Sequence, residues 1–135
     1  MTLRVELVAP DGEIWSGNAR MVIAKTLEGD LGVQTGHTPV LGILAEGSLV
    51  RILDPEEGGE SREVVAAVSS GFLSVADDRV SILSRQAELG PRVDTAAVQA
   101  DLNAAVEAAG PMAPEDEPAE VKYSRALLRA AGEQR

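Results

Sequence analysis

Apolar and polar positions alternate with a period of two at the start of the chain. Leu3, Val5 and Leu7 are separated by Arg4, Glu6 and Val8, the pattern of a strand with one buried face. Asp11-Gly12 follows as a hairpin-turn dipeptide, then Glu13-Ile14-Trp15-Ser16. Further β-prone runs are Arg20 to Thr26, Leu49 to Leu53, Arg62 to Val68, Gly71 to Val75 and Arg79 to Leu83. Glu56-Glu57-Gly58-Gly59 and Asp77-Asp78 fall between them as turns. Short strands at close intervals, split by Gly, Asp and Pro, predict an all-β sandwich or barrel. Nothing here has the length and period of a crossover helix, which argues against a doubly wound parallel sheet.

The pattern changes at Gly90-Pro91, beyond which the chain is alanine-rich. Asp94 suits a helix N-cap, because its carboxylate can accept from the open N–H groups of the first turn. Val98, Leu102, Ala105, Val106 and Ala109 then share one helical face. Gly110-Pro111 predicts a stop by a left-handed cap and a missing donor. Pro111 to Pro118, with Glu115-Asp116-Glu117 inside, reads as a polar linker. Val121, Leu128 and Ala131 make a thin stripe on a second helix, flanked by Leu127 and ended by Gly132. Alanine favours helix but buries little area, so these stripes alone predict a weakly docked hairpin. The chain divides into a β domain over 1–89 and a two-helix hairpin over 90–135.

Composition narrows the function. Among 135 residues there are 12 Lys+Arg and 22 Asp+Glu, a net charge of -10, spread over both parts. Such a surface repels phosphate backbones, which argues against nucleic acid. One Trp, one Tyr and one Phe make no stacking platform. The absence of cysteine excludes disulfides and thiolate chemistry, and a single histidine excludes a His-rich metal site. No signal sequence or membrane span is legible, so a cytoplasmic protein is expected. There is no phosphate-loop, dinucleotide or zinc-protease spacing. A triad would have to combine His37 with Ser69 or Ser70, yet a lone His beside Gly36 and Pro39 fits a loop residue better. No catalytic and no metal-ligating residue is assigned.

One segment is unusual. Leu27 to Leu41 packs Gly29, Gly32, Gly36 and Pro39 with Glu28 and Asp30 between two apolar runs. Composition favours a plain tight connection over a rigid loop that presents its acids to a partner. Glu28-Gly29-Asp30-Leu31-Gly32-Val33 and Gly36-His37-Thr38-Pro39-Val40-Leu41 nevertheless closely resemble the hallmark of the epsilon subunits of F-type ATP synthases. Val5 to Pro10, Ile14-Trp15-Ser16-Gly17, Ser70 to Val75 and Val80 to Ser84 with Ala87-Glu88 are similar in the same order. The Ile14 to Gly17 form looks like the actinobacterial branch.

The resemblance implies a ten-stranded β-sandwich followed by a C-terminal α-helical hairpin. It implies a non-catalytic central-stalk subunit of a proton-translocating synthase, peripheral on the cytoplasmic side of the cell membrane. The sandwich would bind the gamma subunit and stand on the c-subunit ring. The hairpin would reach the alpha and beta subunits when extended and block hydrolysis. By resemblance, the Glu28–Gly32 loop faces the ring: Glu28 and Asp30 serve charge pairing, Leu31 apolar contact, and Gly29 and Gly32 shape the loop. His37 would lie near a neighbouring subunit. Asp94, Val98, Leu102, Val106, Val121, Arg125, Leu128 and Arg129 fall to the regulatory hairpin. Relatives that bind ATP there carry an arginine where this chain has Ala97; Arg125 and Arg129 are at most remnants, so weak or absent ATP binding and no cofactor are expected. Two competing readings are a free-standing β-sandwich module for a ligand or peptide, and a small hydrolase using His37.

Overall fold

The computed structural model describes residues 2–53 and 63–133. Ten strands precede two helices. They are β1 (Leu3–Ala9), β2 (Gly12–Ala19), β3 (Met21–Thr26), β4 (Gly29–Val33), β5 (Val40–Ile43), β6 (Ser48–Leu53), β7 (Glu63–Val68), β8 (Gly71–Ala76), β9 (Arg79–Ser84) and β10 (Ala87–Leu89). Among the described residues they form two five-stranded sheets, ordered β2-β1-β9-β8-β5 and β10-β7-β6-β3-β4. Every neighbouring pair is antiparallel except β1 with β9, which closes the first sheet with a parallel pair. The expected ten-stranded sandwich is therefore present, and the barrel alternative is not.

Alternation builds the core. Leu3, Val5 and Leu7 of β1, Val22 and Ala24 of β3, Val50 and Ile52 of β6, Leu73 and Val75 of β8, and Val80 and Ile82 of β9 are buried between the sheets. Sequence alternation puts Leu3, Val5 and Leu7 on one face of β1. Asp77 and Asp78 both take positive φ, 51° and 60°, the conformation that a two-residue hairpin between β8 and β9 requires. The turn expected at Glu56-Glu57-Gly58-Gly59 lies outside the described residues, as does Arg62.

After a 3-10 turn at Gly90–Arg92 come α1 (Thr95–Ala109) and α2 (Ala119–Glu133). Asp94 caps α1 as expected, its Oδ1 accepting from Ala97 N at 3.1 Å. Gly110 ends α1 with φ 76° and ψ -176°. That is glycine-only backbone outside the left-handed helical well, a correction to the expected cap. Gly132 does not end α2, which runs on to Glu133.

The hairpin is seated more closely than its stripes predict. Ala126 and Ala130 are fully buried against Val65 and Ala67 of β7, with Leu49, Tyr123 and Leu127 around them. Val121 is buried as expected, but Leu128 and Ala131 are only half-buried. On α1, Leu102 is buried, Val98 half-buried and Val106 exposed. The physical reason is size: alanines let the helix backbone approach the sheet, and a stripe sought among large side chains misses them. β7 is accordingly buried on both faces, Ala66 and Val68 inside the sandwich, Val65 and Ala67 beneath α2.

Candidate functional site

Among the described residues, three surfaces bear on chemistry or docking. The first is the outer face of the first sheet, opposite the hairpin. Strand register places Ile43 of β5, Phe72 of β8, Leu83 of β9 and Val8 of β1 in one row across four strands. Ile43, Phe72 and Leu83 are each about half exposed, and Leu41 lies beside the row at 71%. With Ala9 and Pro10, the residues Val8, Ile43, Phe72 and Leu83 line a shallow apolar groove of about 760 Å³. Two residues along the strands Ser74, Ser81 and Glu6 are in register beside the exposed Leu41. A wide apolar row with a polar border is the composition of an interaction surface.

The second surface is the hairpin between β3 and β4, at the edge of the other sheet. Thr26 pairs with Gly29, so the turn is only Leu27-Glu28. Thr26 Oγ1 donates to Gly29 O at 2.8 Å and accepts from Glu28 N at 3.3 Å, fixing the tip. The expected Glu28–Gly32 loop is corrected here. Only Glu28 is in the turn; Gly29, Asp30, Leu31 and Gly32 belong to strand β4. Two glycines misread as loop signals pair regularly with Thr26 and Ile23. Leu31 is half-buried, packed against the core on one side. The exposed apolar residue at the tip is Leu27, at 70%. Glu28 and Asp30 are both exposed, Asp30 directly across from Lys25.

His37 lies in the loop between β4 and β5. Its backbone N–H donates to Gln34 O, and its Nδ1–H donates to Thr38 O at 2.6 Å. Asp78 Oδ1 accepts from Gly36 N at 2.7 Å and ties this loop to the β8–β9 turn. Ser69 and Ser70 precede the other end of β8, six strand residues or about 20 Å away. Ser69 Oγ already accepts from Gln86 N at 3.0 Å. Neither Ser69 nor Ser70 can pair with His37, so the hydrolase reading fails on geometry. Among the described residues, no three His, Asp or Glu side chains are grouped so as to hold a metal ion.

The third surface is the hairpin. Arg125 makes a bidentate pair with Glu117, Nη2 to Oε2 at 2.7 Å, which lowers the Glu117 pKa and raises its own. Arg129 Nη2 donates to Gly47 O at 2.8 Å. Both arginines weighed as phosphate ligands thus point to partners within the fold. The cleft between the helices, about 440 Å³, is lined by Asp101, Glu120 and Tyr123 and by no cation.

Sequence reasoning missed Leu27, the Ile43–Phe72–Leu83 row and the alanine seat of α2. Signals for two of them were present. Phe72 and Leu83 are apolar at positions where alternation points outward, and Val64 to Val68 is apolar on both faces.

The described residues form a two-sheet sandwich with a helical hairpin over one face and an exposed apolar row on the other. Residues 2–90 match the family model described as "ATP synthase, Delta/Epsilon chain, beta-sandwich domain". The ATP synthase epsilon chain of Thermobifida fusca is 48% identical over 130 residues, 96% of this chain and 91% of that one. The epsilon chain of Frankia casuarinae is 51% identical over 89 residues, 66% of this chain and 99% of that one. A chain in the cryo-EM structure of the Euglena gracilis mitochondrial ATP synthase OSCP/F1/c-ring superposes with a TM-score of 0.74 at 21% identity. That match covers 96% of this chain and 81% of the other. The protein belongs to the ATP synthase epsilon chain family, a non-catalytic subunit of the synthase, which displaces the free-standing ligand-binding module. Among the described residues no helix is long and apolar enough to cross a membrane.

Proposed function

We propose that this chain is a rotor subunit of the central stalk of a proton-translocating ATP synthase, peripheral on the cytoplasmic side of the cell membrane. The observation that carries the reading is near-full-length similarity to an epsilon chain. The apolar row on the first sheet supplies the grip on the gamma subunit, because buried apolar area contributes most of the free energy of such a contact. The β3–β4 tip, with Leu27, Glu28 and Asp30, meets the c-subunit ring, and His37 in the adjoining loop faces a neighbouring subunit. Exposed charges there fix register more than they add affinity. The hairpin, through Asp94, Val98, Leu102, Val106, Val121, Arg125, Leu128 and Arg129, is the movable element that restrains hydrolysis when it extends toward the alpha and beta subunits. ATP binding to the folded hairpin is weak or absent, since Arg125 and Arg129 are occupied and the cleft is acidic.

The test is depletion and add-back on the purified synthase in vesicles. Removing the chain abolishes ATP-driven proton pumping, and adding it back restores pumping. Full coupling in the depleted complex would overturn the reading.

A further inference from the structure

The seat of α2 is held at three places remote in sequence. Gly47, in the turn between β5 and β6, has φ +61°, a conformation that favours glycine. A Cβ added there would lie 2.5 Å from Lys122 Cβ and would also strike the Lys122 backbone. The first turn of α2 therefore rests directly on this turn of the sandwich. The Gly47 carbonyl accepts from Arg129 of the same helix, two turns further on. Beyond that, the guanidinium of Arg51 on β6 bridges Glu63 of β7 at 2.7 Å and Glu133, the last residue of α2, at 2.5 Å. Both glutamates raise the Arg51 pKa, their hydrogen bonds outweighing its partial burial.

We propose that Gly47, Arg129 and the Arg51–Glu133 pair form a latch that holds α2 of the hairpin on the second sheet. The inference deepens the regulatory reading above and rests on it. Between the pins Ala126 and Ala130 meet Val65 and Ala67, with Leu49, Tyr123 and Leu127 packed around them. The centre of the seat is made of small side chains, so directional contacts at its rim add to its hold. The latch has two parts with different physics. The approach at Gly47 is steric and indifferent to salt. The pins are charged and partly exposed, so counterions weaken them. One cavity of about 270 Å³ joins Gly47, Arg51 and Arg129 to Lys25 and Asp30, placing the latch next to the strand proposed to meet the ring.

Hydrogen exchange on the full isolated chain tests the latch. In Gly47→Ala, peptides covering 119–133 and the outer face of β7 should exchange at least about tenfold faster, while β1 and β9 keep their protection; losing a hydrogen bond to a charged group is by itself of that order. The double variant Arg129→Gln Glu133→Gln should show the same pattern and lose the salt dependence that the native chain displays. It decides the matter should Gly47→Ala unfold the sandwich. Unchanged protection of α2 in the double variant, or equal salt dependence in both chains, overturns the latch. Because no gamma or ring subunit is present, the result is separate from the coupling assay. A working latch with a hairpin that never restrains hydrolysis would overturn the regulatory reading instead.

Discussion

Tyr123 is the only tyrosine in the chain and sits at the edge of the α2 seat. Burial, and behind it the Glu88 carboxylate, pushes its phenol from 10.0 up to about 12. The docked hairpin thus holds this proton more tightly than a detached one. The sign follows: the docking contribution is intact below the ordinary tyrosine value of about 10 and is lost as pH rises through that value toward 12. Tyrosinate absorbance should therefore show a late titration in the native chain and one shifted back toward about 10 in Arg129→Gln Glu133→Gln. A native chain that ionises at the ordinary value would mean that Tyr123 is not enclosed. At the same scale, Leu27 is the more exposed leucine of the β3–β4 hairpin. Leu27 and Leu31 are both apolar in the same glycine-rich stretch, and sequence resemblance drew attention to Leu31. Pairing of Ala24 with Leu31 turns Leu31 toward the core and leaves Leu27 at the tip.

At the level of elements, β7 and α2 define each other. Val64 to Val68 carries no polar position because each of its faces meets a layer. The matching surface on α2 is made of Ala126 and Ala130, whose small size sets the distance between helix and sheet. Enlarging one of them should act by overpacking. Ala130→Leu is expected to cost about 1–3 kcal/mol at this interface and to expel the hairpin without melting the sandwich. Circular dichroism should retain the helical signal if the hairpin leaves intact, while exchange protection over 119–133 falls. Retained protection would show that the seat can widen. This contact was legible in the strand, as a run buried on both sides, but not in the helix. Alanine there serves propensity and packing alike, and the sequence does not separate the two.

For the molecule as a whole, the two sheets have different neighbours. The second sheet is covered by its own hairpin, and the first shows a bare apolar row across β5, β8, β9 and β1. If that row grips the gamma subunit, Phe72→Ser with Leu83→Ser should weaken binding by more than tenfold, because each buried apolar side chain is worth about 1.5–3 kcal/mol. Glu28→Ala with Asp30→Ala should change ring attachment only a few-fold, since exposed ion pairs contribute about 0–1 kcal/mol each, and high salt should erase the difference. Binding measured on reconstituted stalk components checks both. Undiminished gamma affinity in the serine variant would move the contact to another face.

The sequence by itself determined seven of the ten strands, the inward face of β1, the capped start of α1 and the membership of the sandwich in its family. Those depend on local periodicity, turn chemistry and letter-by-letter resemblance, all carried by neighbouring residues. Tertiary structure alone decided that the outward apolar positions line up in one row, that Leu27 is more exposed than Leu31, and that Gly47 touches Lys122 and Arg129 from far along the chain. Those depend on register between strands and on the close approach of backbones, and no single segment encodes either.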